Sequence, residues 1–219
     1  MSEVNICSKL KELVDKAREV GDKLLTFYGW QWDVLPDIYA QIALLLFKKE
    51  DLEEDLKEKI ATIHRMFARL LYHTREAWIV CSAITDITQN YLEDLVEKQQ
   101  CDRDMLISFV NTVLNEIDDV YRKCDYYVKQ SVMESKTILE KIDYISMQPK
   151  LIGLGVYDLL LDVYDWIAVN YADMEYLSKS LNNTYNEISD GLKSVRDKLI
   201  NTEQPYEAQK KEDKKEGGQ

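Results

Sequence analysis

Glycine and proline are scarce in this chain, with 7 and 3 among 219 residues. Average proteins use glycine about twice as often and proline about three to four times as often. Few tight turns are available, so the elements between them must be long, and a fold of many short strands is excluded. Histidine is rarer still, with only His64 and His73. They stand nine residues apart on one segment, and no Glu-x-x-His occurs, so the ligand set of a di-iron helical bundle is missing. No His-Glu-x-x-His, no glycine-rich phosphate loop and no nucleophile elbow is present. The four cysteines, Cys7, Cys81, Cys101 and Cys124, include no Cys-x-x-Cys pair and suggest no zinc site. No enzyme, cofactor or metal is expected on this reading.

Long hydrophobic runs are absent as well. The longest, residues 42–47, is far too short to span a bilayer. The first twenty residues have no apolar stretch of the secretory kind, so the expected compartment is the cytoplasm. Basic charge is in deficit: 28 Lys and Arg face 40 Asp and Glu, for a net charge of -12. Such a chain repels phosphate backbones, which argues against nucleic acid. Anionic membrane surfaces are disfavoured for the same reason, and membrane contact stays a secondary possibility.

What the chain does have is apolar periodicity. The clearest stripe reads Leu56, Ile60, Ile63, Phe67, Leu70, Thr74, Ala77, Cys81, Ile84, Thr88, Tyr91, Leu95. Steps of four and three alternate throughout, the signature of a helix with one long buried seam. Residues 4–48, 51–98, 102–147 and 156–200 form four arms of this kind. At about 45 residues each they would be roughly 65–70 Å long. In the first arm the stripe Leu10, Leu13, Ala17, Val20, Leu24, Phe27 breaks near residues 29–36, where Gly29 and Pro36 predict an interruption. In the third, Leu106, Val110, Val113, Ile117, Val120 and Cys124 give way to Val128, Val132, Leu139, Ile142 and Ile145, which predicts a slip of the seam. Short links force antiparallel neighbours. The fold class is therefore all-α, an elongated up-down-up-down four-helix bundle over residues 1–200. Residues 201–219 are charged, almost free of apolar side chains, and expected to be a disordered tail.

Antiparallel arms reflect through their links. Centres near residues 50, 100 and 150 place Trp30, Trp32, Phe67, Tyr127, Trp166 and Tyr171 in one aromatic-rich layer. These rings either fill the gap left by the interruption or line a pocket for an apolar ligand. The same reflection displaces Cys81 from Cys124 by about 7 Å along the axis, which predicts free, buried thiols. Cys7 and Cys101 share one end of the rod and are the pair best placed to join under oxidation. The opposite end carries Leu151, Ile152 and Leu154 in a link, either as a cap on the core or as an apolar tip for a membrane or partner. Arg65, Arg69 and His73 form a positive stripe, which meets either acidic neighbours or an anionic partner. Thr74, Thr88, Ser131 and Asn170 sit at or near seams, where polar residues fix register. Asn170, level with Gln130, is the leading candidate for that role.

Two functions fit this outline. The first is a non-enzymatic scaffold or adaptor that acts through protein–protein contact or self-association. The alternative is a lipid-binding or membrane-perturbing bundle, or a carrier of an apolar ligand in the aromatic layer.

Overall fold

The computed structural model describes residues 3–48, 52–98, 103–147 and 156–201. They form four helices: α1 (Glu3–Lys48), α2 (Glu54–Lys98), α3 (Arg103–Ser146) and α4 (Val156–Asn201). Each packs on its neighbours in the ring α1–α2–α3–α4, with α4 returning to α1. This is the four-helix bundle expected from the periodicity. The α1–α4 seam is the most open of the four.

The seams explain the helices. Along α2 the stripe is buried from Leu56 to Ile84 as expected. The Glu53 carbonyl opens the helix by accepting from the amides of Leu56 and Lys57, each at 3.0 Å. Glu54 and Asp55 in the first turn suit the helix dipole.

Helix α1 corrects the expected break at residues 29–36, because it runs without interruption through Gly29 and Pro36. The reason lies in its true seam, which is Leu24, Tyr28, Gln31, Leu35, Ile38, Ile42 and Leu45, all buried. The alternation of four and three never lapses. Gln31 takes one seam position, so the apolar pattern lapses while the geometric one continues. Pro36 removes one backbone hydrogen bond, to the carbonyl of Trp32, at a cost of about 3 kcal/mol. Burial of Leu35, Ile38 and Ile42 offsets it, since each such side chain contributes roughly 1.5–3 kcal/mol.

The expected slip in α3 is corrected in the same way. After one step of four and four at Val113, Ile117 and Tyr121, the buried seam continues through Cys124, Val128, Ser131, Ser135, Ile138, Ile142 and Ile145. Ser131 and Ser135 hide this continuity, and Val120, Val132 and Leu139 flank it half-buried.

Three apolar cores follow one another along the axis. One holds Leu35, Ile42, Ile60, Phe67, Ile138, Ile142, Leu160 and Ile167 with their neighbours. The middle one holds Leu24, Tyr28, Ala77, Cys81, Cys124, Val128 and Leu181. The third, at the far end, includes Leu10, Leu13, Val110, Val113, Ile188 and Leu192. Between the first two, every helix places a buried polar residue at the seam: Gln31, Thr74, Ser131 and Asn170. The contacts Tyr39–His64, Arg69–Glu134 and Gln31–Asn170 set the levels that bring these four together. Gln31 Nε2 donates to Asn170 Oδ1 at 2.7 Å, and Asn170 Nδ2 donates to the Trp166 carbonyl at 2.6 Å. Thr74 and Ser131 turn back onto their own helices, to the carbonyls of Leu70 and Tyr127. Asn170 lies level with Ser131, next to the expected Gln130, and its side-chain partner is Gln31.

Cys81 and Cys124 are joined by a disulfide, with Cα atoms 5.6 Å apart. This corrects the expectation of free thiols at these positions. The pair centres the α2–α3 hairpin between residues 102 and 103, whereas the sequence-based centre is 100. A shift of centre counts twice, which gives about five residues, or about 7 Å of axis. Cys101 lies outside the described residues, and Cys7 lies in α1.

Candidate interaction surface

The open α1–α4 seam carries a groove of about 660 Å3 lined by Glu19, Asp22, Lys23, Thr26, Phe27, Trp30, Asp173, Tyr176 and Leu177. Its α1 wall follows the exposed stripe Glu19, Lys23, Thr26, Trp30, which continues at the same spacing to Asp33 and Asp37. Its α4 wall borders a second exposed stripe, Asp158, Asp162, Asp165, Val169, Asp173 and Tyr176. The ring centroids of Trp30 and Trp166 are 6.1 Å apart and join the two walls. Trp30 is 49% exposed, and Val169 and Tyr176 are 69% exposed each. Large rings in water at a helix–helix seam mark a contact surface more often than isolated exposed side chains do.

The charge on this half of the rod is one-sided. Residues 24–47 and 156–178 contain Asp33, Asp37, Asp158, Asp162, Asp165, Asp173 and Glu175, with no Lys, Arg or His. Glu175 pairs with Lys179 at 3.4 Å. The other six carboxylates are exposed and make no ion pair among the described residues.

The opposite side of the same half reverses the sign. On α2, Lys59, Arg65, Arg69 and Arg75 occur with no acid across residues 59–75. On α3, residues 122–141 hold Arg122, Lys123, Lys129, Lys136 and Lys141 against Asp125, Glu134 and Glu140. Several of these bases are engaged within the bundle. Arg69 meets Glu134 at 3.0 Å, Arg122 meets Asp118 at 2.7 Å, and Lys129 meets Asp125 at 2.7 Å. Arg65 donates to Thr62 of its own helix at 3.0 Å. Exposed Tyr72, Tyr126 and Met133 lie among them. His73 belongs to the same cluster, 6.2 Å from the Tyr127 ring, and burial holds its pKa below the ordinary value. His64 stacks on Tyr39 at 4.1 Å and is lowered by burial too.

The six rings of the expected aromatic layer are distributed over different parts of the molecule. Phe67 is fully buried in the first core. Trp30 and Trp166 meet at the α1–α4 seam, with Trp166 half-buried against that core. Tyr127 stands on the α2–α3 side beside Tyr72 and Tyr126. Trp32 and Tyr171 are half-buried on α1 and α4. Of the six, Trp30 alone lines the groove. Leu151, Ile152 and Leu154 lie outside the described residues, as do residues 202–219 of the expected tail. The end of the rod next to that link exposes Leu44, Phe47, Tyr144 and Met147, Phe47 to 84%.

Asp173, Val169 and Tyr176 were not singled out by periodicity, because a stripe analysis selects the buried face and these are on the other. The available signal was the lack of any basic residue through residues 24–47 and 156–178. Among the described residues no group of three or more His, Cys, Asp or Glu is placed to hold a metal ion. No described helix is long and apolar enough to cross a membrane. The fold and the surface together define an elongated four-helix bundle with one acidic, aromatic seam. Comparison with protein families, curated proteins and solved structures finds no match.

Proposed function

We propose that this chain is a non-enzymatic interaction protein, a rigid bundle that receives a protein partner on its α1–α4 seam. One observation carries the reading. A groove with exposed Trp30 and Tyr176 is lined by Asp173 and opens onto a seam whose exposed stripes carry Asp33, Asp37, Asp158, Asp162 and Asp165, and none of these six carboxylates makes an ion pair among the described residues. Unpaired surface charge of one sign beside apolar rings gives a partner both steering and an anchor. The compartment bears on this through the thiols. A Cys81–Cys124 bond of this kind persists best in an oxidising compartment, which weighs against the cytoplasmic expectation.

The test compares immobilised wild type with the double variant Trp30→Ala, Tyr176→Ala. Both positions are exposed, so the variant keeps its fold. A partner held by wild type and lost by the variant is the expected result. Capture that ignores both substitutions, or a strict monomer with no partner, removes the proposal.

A second reading rests on the exposed Leu44, Phe47, Tyr144 and Met147 at one end of the rod. An apolar end of this kind suits contact with lipid acyl chains. Flotation with neutral and anionic vesicles tests it. Binding abolished by Phe47→Asp supports the reading, and absence of binding to both vesicle types ends it.

A further inference from the structure

We propose that the partner seated on the acidic α1–α4 face is a second copy of this chain, presenting its basic α2–α3 face. The inference rests on the interaction reading above and names its partner.

Three observations support it. The two faces are opposite sides of one four-helix ring, because α1 adjoins α4 and α2 adjoins α3. They occupy the same half of the rod, as the contacts Tyr39–His64, Arg69–Glu134 and Gln31–Asn170 require. Their charges are complementary, seven acidic residues without a base on one side, nine basic against five acidic on the other when Glu76 and Asp143 are included. A copy shifted sideways by one bundle width would bring Asp33, Asp37 and Asp165 toward Arg65, Lys136 and Lys141 of the next. None of these six makes an ion pair among the described residues. Exposed apolar groups accompany the charges on both sides, Trp30, Val169 and Tyr176 on one and Tyr72, Tyr126 and Met133 on the other.

The size is adequate. Two helices side by side over about 24 residues present a strip of roughly 35 Å by 20 Å. That is about 700 Å2 per copy, close to the usual size for a specific interface. Because the two faces differ, the contact is heterologous, and each copy keeps a free face of each sign. The product is an open row, not a closed dimer.

Sedimentation velocity on the full chain tests this, at salt of about 0.1 M, where distant charges are screened and contacting ones are not. The weight-average mass is expected to rise with concentration above 25.7 kDa and to return to it in about 1 M salt. Two charge-reversed variants extend the test. One carries Asp33→Lys, Asp37→Lys and Asp165→Lys, and the other Arg65→Glu, Lys136→Glu and Lys141→Glu. All six sites are exposed and outside the core, and circular dichroism verifies the fold. Each variant alone is expected to associate at least about tenfold more weakly than wild type, and their equimolar mixture to recover the pair. A wild type of constant monomer mass overturns the proposal, as do single variants that associate like wild type or a mixture that stays monomeric. If wild type stays monomeric yet captures another protein through Trp30 and Tyr176, the self-contact falls and the broader interaction reading stands.

Discussion

Gln31 and Asn170 are buried between two apolar cores and satisfy each other only in part. Gln31 Oε1 has no hydrogen-bond partner, while its amide nitrogen depends on Asn170. Asn170→Leu alone leaves both ends of Gln31 buried and unpaired, and we expect a loss of about 2–3 kcal/mol in urea denaturation. Replacing both by leucine removes the polar atoms together and should bring stability back to wild type or above. A double variant as weak as the two singles combined would show that the pair is not coupled. The tyrosines give a second residue-scale expectation. Burial, little relieved by Ser131, pushes the Tyr28 phenol far up. Burial, then Asp125, raises Tyr121 to about 12, and burial with the Asp118 hydrogen bond raises Tyr185. A folded pKa above the unfolded 10 means stability is full below pH 10. It is lost as pH rises through about 12, and chemical denaturation across that range measures it. His64 and His73, lowered from 6.5 by burial, act in the opposite sense. The unfolded chain takes the proton first, so stability declines as pH falls through 6.5.

At the scale of the element, Pro36 and Gly191 separate what a helix tolerates from what its packing demands. Pro36 sits half-buried inside α1 and leaves the Trp32 carbonyl without its helical donor. Pro36→Ala restores that donor, and we expect thermal unfolding to shift upward by the equivalent of about 1–3 kcal/mol. Gly191 does the reverse work, since a Cβ built on it would stand 2.7 Å from Leu13 Cδ2 and 2.8 Å from Cδ1. Leu13 is buried in the end core, so Gly191→Val should cost about 2 kcal/mol by overpacking, read by the same melt. The sequence made α2 legible because eight of the nine seam positions from Leu56 to Ile84 are apolar, with Thr74 the one exception. It misled at α1 and α3 because Gln31, Ser131 and Ser135 hold seam positions with polar side chains. A search for apolar residues then shifts to Phe27, Val132 or Leu139 on the flank. Only neighbouring helices at a known level show those polar groups to be inside. The docking face was legible in one respect, its missing bases, and illegible in another. Nothing in one dimension says that residues 24–47 lie beside 156–178 and across from 59–75.

For the whole molecule, two features act together: the polar layer and the disulfide. The layer divides the core, and the bond between Cys81 and Cys124 ties α2 to α3 on one side of it only. A cross-link over 43 residues constrains the unfolded chain by about 4 kcal/mol on the chain-entropy account. Cys81→Ser with Cys124→Ser should lose close to that amount under non-reducing conditions, and a loss below about 1 kcal/mol would mean the bond does not form. The register of the hairpin, misplaced by five residues from sequence, follows from the same pair. Sequence spacing measures arms well, and it measures links poorly.

The covalent tie has a consequence for how the chain comes apart. The connection from α2 to α3 lies inside the ring that the two sulfurs close. A protease that cuts within residues 99–102 therefore releases nothing. The nicked protein migrates as one band until a reductant is added, and then as two fragments that meet at that link.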